Sequence, residues 1–307
     1  MILSGYMEKS QEKYNQEWFK ERAFKSLKKL ENGIWDFSDS LLIYIGSGDA
    51  VYEQLQEEDT SYFKLVTKPE HEYLQLIAKN IADILPNNFE YIDLGPGTEH
   101  KEQFLFDELK KQGKTFTYVP VDISDHFLEM AESHATSQGI PVRKVKASFE
   151  ELPEVLGEST VQRFIFLTGL TFSNYAPQEI LKLLVNIAGV DGFIFITNQM
   201  KDRINIIEMR EMYQEVSISI LENKMRLVGL DPFIDISPII VDDEFYFYCS
   251  IIKNNSNLES IGIRTGDKMV ILKSPRYTKE FLESELAQYA HESFDTGSSF
   301  IGTIIKT

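Results

Sequence analysis

The sequence predicts an α/β chain whose main domain is a doubly wound, mostly parallel sheet, accompanied by a second domain. Two observations carry this. Short continuous apolar runs alternate with amphipathic stretches from about residue 68 to residue 198, as expected of strands covered on both faces by helices. That rhythm breaks over residues 201–277 and then returns, which is how an insertion into such a domain reads.

The segment through about Tyr62 reads as short helices, with apolar positions at Trp18, Phe19, Phe24 and Leu27, then Val51, Tyr52 and Leu55. "IGSGDA" (Ile45 to Ala50) has no strand before it and is expected to be a loop. A helix over Lys68 to Leu85 leads into the strand "FEYIDLG"; a helix, the strand "FTYVPVDIS", a helix through His134 and the strand "VRKVKAS" follow. Next come "RFIFLTG", a helix from Pro177 to about Ala188, and "GFIFITN". Residues 201–229 form a long helical stretch in which Ile206, Met209 and Tyr213 share a face. "EFYFYCSIIK", "SIGIRTG" and "KMVILKSPRY" read as extended, before a last helix "TKEFLESELAQY" and a last strand "SFIGTIIKT". The expected division is 1–65 and 198–277 for the second domain, and 66–197 and 278–307 for the sheet domain.

Composition narrows the function. The net charge of −17, from 48 acidic and 31 basic residues, repels nucleic acid and anionic membranes at long range. The basic run "KERAFKSLKK" reads as a solvated helix face. A single cysteine, Cys249, allows no internal disulfide, and the N-terminal "MILSGYMEKSQEKYNQEW" is too charged for a signal sequence. No apolar run approaches the ~20 residues of a membrane span. The expectation is a cytoplasmic protein, a monomer, with a small-molecule partner and neither nucleic acid nor membrane.

In a doubly wound sheet the ligand lies beyond the carboxyl ends of the strands, so the turn after the first strand matters most. That turn is Gly95-Pro96-Gly97 in "YIDLGPGTEHK". Glycine permits a tight turn and close backbone approach. The lysine and hydroxyl residue of a phosphate loop are missing, and His100 stands where a dinucleotide fingerprint has its third glycine. Asp93, just before the turn, would repel a pyrophosphate but attract an ammonium group. S-adenosylmethionine (SAM) carries such an ammonium and is the expected cofactor. Asp122, ending "YVPVDIS", stands where such a fold places the acceptor for ribose hydroxyls. Ser124 is expected to cap a helix whose Leu128, Ala131 and Ala135 point inward. Phe149 is placed to pack on an adenine or simply in the core. No metal is expected: the five histidines are scattered, and His100, His126 and His134 read as helix-surface residues.

The strings "YIDLGPGTEHK", "YVPVDIS", "FLTGLTFSNYAP", "TNQMKDR" and "KSPRYTKEF" occur in the order seen in the histidine-specific Nα-methyltransferases of ergothioneine biosynthesis and their relatives. The chain resembles that family from about Tyr44 to its C-terminus. The most specific parts are "VPVDIS" and the Thr-Gly-x-Thr-x-x-Asn pattern of Thr168 to Asn174. The resemblance implies a Rossmann-like SAM-dependent methyltransferase domain, plus a substrate-binding domain formed by the N-terminal region and the central insertion. It adds Lys101 and Ser148 to the cofactor residues Asp93, Gly95, Gly97, Asp122 and Phe149.

By the same resemblance Asn174 matches the asparagine holding a substrate's amino and carboxylate groups, Tyr213 a tyrosine gripping the carboxylate, and Tyr44 an N-terminal tyrosine near the substrate. Each has a plainer reading: Asn174 as a loop end, Tyr213 and Tyr44 as core residues. Two departures stand out. Where the family has Gly-Asp-Phe, this chain has Ala147-Ser148-Phe149, and where the histidine enzymes carry Glu-x-Ser, it has Leu272-Lys273-Ser274. Leucine leaves an imidazole N–H unpaired at a cost of roughly 1–3 kcal/mol. The expectation is therefore an N-methyltransferase for a small amino acid or amino-acid-derived amine other than histidine. The second reading is a noncatalytic or regulatory SAM-binding homologue.

Overall fold

The computed structural model describes residues 14–44, 48–227, 239–253 and 256–307. The N-terminal reading over residues 1–13, the start of "IGSGDA" at residues 45–47 and the last two positions of the expected 201–229 helix lie outside them. The described residues fall into two compact units, one within Gln56–Ile204 and Arg276–Thr307, the other within Met1–Leu55 and Asn205–Pro275.

The first unit holds a seven-stranded sheet. Its strands are β1 Asn88–Leu94, β2 Thr115–Asp122, β3 Val145–Lys146, β4 Gln162–Leu167, β5 Phe193–Gln199, β6 Ala290–Phe294 and β7 Phe300–Lys306. Its helices are α1 Lys68–Ile84, α2 Gln103–Lys111, α3 Asp125–Ser137, α4 Leu152–Leu156, α5 Pro177–Ala188 and α6 Lys279–Leu286. The spatial order is β3-β2-β1-β4-β5-β7-β6. β1 to β5 pair in parallel, while β7 runs antiparallel to both β5 and β6. The order reverses direction beside β1, which makes the turn after β1 the switch point.

Side-chain alternation gives this sheet two different faces. Ile92, Leu94, Val119, Val121, Ile165, Leu167, Ile194 and Ile196 lie in one aliphatic cluster with Ile180, Leu181, Leu184 and Ile187 of α5. The alternate positions are aromatic: the Tyr91 ring lies 5.1–5.6 Å from those of Phe106, Tyr118, Phe164 and Phe166, and Phe166 stacks on Phe195 at 5.6 Å. Asp93 shares the aromatic face by its register, two residues beyond Tyr91. α1 closes that side with Tyr73, Ile77 and Ile81, all buried. α3 starts as expected, the Ser124 hydroxyl accepting from Phe127 N–H, and buries Leu128, Ala131 and Ala135.

The second unit has a five-stranded sheet, in the order 28–29, 35–36, 268–273, 246–250, 240–241. Trp35 and Asp36 pair in parallel with Met269 and Val270, so the early and late segments share one sheet. Lys273 Nζ lies 2.7 Å from Asp36 Oδ2. Beneath the sheet the wholly buried Lys224, on helix Ile206–Leu227, donates to Asp39 O at 2.9 Å and Ile271 O at 2.8 Å. Burial lowers its pKa to about 7, with Asp39 and Asp36 opposing. Cys249 is buried, which pushes its thiol up to about 12 and removes it as a nucleophile.

Three expectations need correction. Gly48, Asp49 and Ala50 of "IGSGDA" open the helix Gly48–Leu55 rather than a loop. "SIGIRTG" is no extended piece: it runs from the end of helix Ser256–Ser260 into turns, with Gly262 and Gly266 at φ 90° and 93°. The strand β6 was not expected at all. No described helix is long and apolar enough to cross a membrane.

Gly302 in β7 shows how tightly the aromatic face is filled. A Cβ there would lie 2.6 Å from the Phe195 ring and 2.8 Å from the Tyr73 hydroxyl. That hydroxyl accepts from Gly302 N–H and donates to Phe294 O at 2.6 Å. Gly302→Ala is expected to destabilise the protein by about 1–3 kcal/mol through overpacking, read as a lower urea midpoint with unchanged slope.

Candidate functional site

At the switch point β1 delivers Asp93 and the chain turns at Gly95-Pro96-Gly97. Gly95 and Gly97 sit at φ 69° and 62°, where a Cβ is disfavoured. Gly95 N–H is tied to Val121 O at 2.9 Å. A Cβ on Gly95 would lie 3.6 Å from Phe149 Cζ, so glycine leaves the turn's backbone approachable beside an aromatic ring. Phe149 also packs on the aliphatic cluster, which keeps its core role in play. His100, at the third glycine position, takes φ 49°. It stands in the loop ahead of α2, not on a helix surface as expected.

Asp93 is 3% exposed, and its Oδ2 accepts from the Tyr118 hydroxyl at 2.7 Å. Burial, and after it the charge of Glu102, push the Asp93 carboxyl well above the usual range, while Tyr118 and Lys101 oppose. A carboxylate in that condition is stabilised by a cationic group brought within hydrogen-bond reach.

Lys101 is likewise buried, 3.1 Å from Glu70 Oε2 and 3.5 Å from Glu99 Oε1. Burial disfavours its charge, but Glu70 and Glu99 outweigh that and hold its ammonium above the usual lysine range. Glu70 reaches further. Its Oε1 accepts from Gly169 N–H at 2.6 Å and the Thr197 hydroxyl at 2.5 Å, and a Cβ on Gly169 would lie 3.1 Å from Lys101 Nζ. One wholly buried carboxylate thus joins α1, the loop after β4, the end of β5 and the residue following the glycine turn. That loop continues into the short turn Phe172–Asn174, which places Asn174 at the same strand edge.

Asp122 ends β2, and its Oδ1 accepts from Ser124 N–H at 2.8 Å. Ser148 is 2% exposed and starts the turn Phe149–Glu151, its N–H donating to Glu151 Oε2 at 3.2 Å. The serine therefore has a local capping arrangement whatever else it touches. Asp93, Gly95, Gly97, Lys101, Asp122, Ser148, Phe149 and Asn174 all belong to the sheet unit.

The remaining candidates lie in the other unit. The Tyr213 hydroxyl is 3.1 Å from Ser274 Oγ, both buried, with the Tyr213 ring packed on Phe245 and Phe247 at 5.7 and 5.0 Å. Leu272 is 7% exposed and pairs in register with Phe247. Tyr44 ends the turn Ser40–Tyr44, its ring 5.8 Å from Tyr52. Tyr213 and Ser274 are thus brought together, and Tyr44 is placed beside a second tyrosine.

Sequence reasoning missed Glu70. The signal was present: Glu70 is in phase with Tyr73, Leu74, Ile77 and Ile81, a charged residue on the buried stripe of α1.

Residues 20–209 match the family of histidine-specific, SAM-dependent methyltransferases. The N-methyltransferase dtpB of Aspergillus flavus is 30% identical over 135 residues, which is 43% of this chain and 34% of that protein. The chain thus spans about a third of the length of the curated relative it matches. Among solved structures, the CurJ carbon methyltransferase aligns with a TM-score of 0.48 at 10% identity, over 99% of this chain and 69% of its own. The citrinin polyketide synthase CMeT domain aligns with a TM-score of 0.46 at 12% identity, over 77% and 51%. The family match spans more than half of the sequence, and the chain belongs to the histidine-specific, SAM-dependent methyltransferases.

Proposed function

We propose that this protein is an N-methyltransferase for a small amino acid or amino-acid-derived amine with an apolar side chain, not histidine. The observation that carries the reading is the buried Tyr213–Ser274 hydroxyl pair at 3.1 Å, with Leu272 in place of a carboxylate on the same segment. Two hydroxyls suit a carboxylate or amine, while leucine offers an imidazole N–H nothing. The name of the Aspergillus flavus relative, an N-methyltransferase, supports nitrogen as the acceptor. In this reading the N-terminal region and the central insertion bind the amine.

When bound, SAM supplies a methyl group already activated by its sulfonium charge. The chain's own residues then have to align an amine lone pair with the S–CH3 axis and exclude water. Asp93 holds the cofactor's ammonium, Gly95, Gly97 and Lys101 face its carboxylate, and Asp122 takes the ribose hydroxyls. Ser148 and Phe149 meet the adenine. Within the second unit Tyr213 and Tyr44 position the acceptor amine, with Leu272 and Ser274 against its side chain; Asn174 is assigned to the substrate by the family resemblance alone.

Incubation with isotopically labelled SAM and an amino-acid and amine library, read by mass spectrometry, is expected to label an apolar member on nitrogen. Calorimetry in the presence of S-adenosylhomocysteine is expected to show no heat with histidine; tight histidine binding would overturn the substrate assignment. Tyr213→Phe is expected to raise KM for the labelled amine about tenfold, the loss of one hydrogen bond to a charged group.

Asp93→Asn separates cofactor binding from stability. Because the folded carboxyl is held above its ordinary value of 3.8, the native state keeps the proton longer than the unfolded chain does. Stability then falls as pH rises from that value toward the folded one. The asparagine variant is expected to lose less stability than the parent over that rise, while S-adenosylhomocysteine affinity drops about 10- to 100-fold. Denaturation midpoints across pH and calorimetry check the two halves.

A further inference from the structure

We propose that His100, Glu102 and His134 form a site for a divalent transition metal, with Zn²⁺ as the preferred ion, clamping the loop after the glycine turn to α3. Glu102 Oε1 lies 3.5 Å from His100 Nδ1 and 3.9 Å from His134 Nε2, and the three donor atoms lie within 4.8 Å of one another. Ligands at the corners of a tetrahedron with bonds of about 2.1 Å are about 3.4 Å apart. The His100–Glu102 separation is close to that; the other two, at 3.9 Å and at most 4.8 Å, have to contract on binding. Two imidazoles and one carboxylate are a borderline donor set that suits zinc better than a hard cation.

Independent features point at the same spot. Glu102 is 2% exposed, and its Oε1 is buried with no hydrogen-bond partner, a costly condition that a bound cation removes. The two rings stack at 4.0 Å and 16°, which holds the imidazoles side by side near Glu102; one of them has to turn for both in-plane lone pairs to meet at a single ion. His134 Nε2 lies 2.8 Å from Gln103 Oε1, a hydrogen bond donated by the Nε2–H tautomer, and Gln103 Oε1 also accepts from Gln138 Nε2; an ion would replace that Nε2 proton. Gln103 Oε1 is near enough to complete the ion's coordination once Gln138 Nε2, 3.0 Å from His134 Nε2, gives way. His100 reaches the cluster from a left-handed backbone position at φ 49°, uncommon for a non-glycine residue although histidine takes it more readily than most. A groove of about 500 Å³, lined by His100, His126, Glu129, Met130, Ser133 and His134 among others, gives access.

The competing reading is a protonated histidine paired with Glu102 and no metal. Tag-free full-length protein, stripped with a chelator, would be titrated with Zn²⁺ by calorimetry and with Co²⁺ by visible absorption. About one equivalent of Zn²⁺ with micromolar or tighter affinity is expected, together with the intense visible band of low-coordinate Co²⁺. His134→Ala and His100→Gly are expected to weaken Zn²⁺ binding by about 100-fold or more, the glycine keeping the backbone conformation. His126→Ala, which alters the groove but not the donor set, is expected to bind as the parent does. Unchanged urea midpoints of the stripped variants show that they fold. Less than one equivalent bound at saturation, no Co²⁺ band, or equal affinity in the His134→Ala and His100→Gly variants overturns the site.

Discussion

The Glu70–Lys101 pair is the contact from which the geometry of the switch point follows. Neither charge is tolerable alone in a wholly buried position, so the two hold each other, and Glu70 spends its second oxygen on Gly169 N–H and the Thr197 hydroxyl. Four segments distant in sequence are thereby held at one sheet edge. Because Lys101 follows the glycine turn by a few residues and Gly169 precedes Asn174 by a few, the two loops that carry the candidate cofactor and acceptor residues cannot shift independently. In the proposed reading Lys101 would face the cofactor's carboxylate while already tied to Glu70 and Glu99, so it contributes a fixed positive edge more than a mobile hand.

The acidic surroundings explain why a cation belongs here. Glu70, Asp93, Glu99 and Glu102 are all buried carboxylates within one locality, and Lys101 is the cation they share among the described residues. Burial and Glu102 already make the Asp93 charge expensive. Adding an anion would deepen the imbalance, and adding an ammonium relieves it. The local field thus favours a zwitterion presented ammonium-first to Asp93, in keeping with the SAM dependence of the family.

How much of this was legible in the sequence depended on how many residues each feature needs. The central strands read correctly because continuous apolar runs such as "RFIFLTG" admit little else at that length. β6 did not, because "AHESF" is a half-exposed edge strand of mostly polar residues, with no apolar face to give it away. β3 shrank to Val145–Lys146, again at an edge. "SIGIRTG" failed for a different reason: its two glycines sit in left-handed turns, and alternation alone cannot distinguish that from a strand. Among the candidate site residues, the positions within one motif were visible because the motif is local. The stacking of His100 on His134, and the reach of Glu70 to Gly169 and Thr197, depend on tertiary placement that no window along the chain contains.

The two departures from the family pattern share one physical character. By the family resemblance, Ser148 stands where a carboxylate would meet an adenine amino group, and Leu272 where a carboxylate would meet an imidazole. In both places the charge that reads a flat nitrogen ring is gone. The carboxylates that would hold an ammonium and ribose hydroxyls, Asp93 and Asp122, are kept, as are Tyr213 and Ser274. Drift after loss of function would strike these groups without regard to what they recognise. In the proposed reading, a loss confined to ring readers, with a leucine packed in register against Phe247 in one of them, would fit a site reshaped for a less polar acceptor. In the proposed reading, Ser148 would make adenine recognition depend more on Phe149 and on the backbone of the turn Phe149–Glu151, which its capping arrangement with Glu151 holds in place.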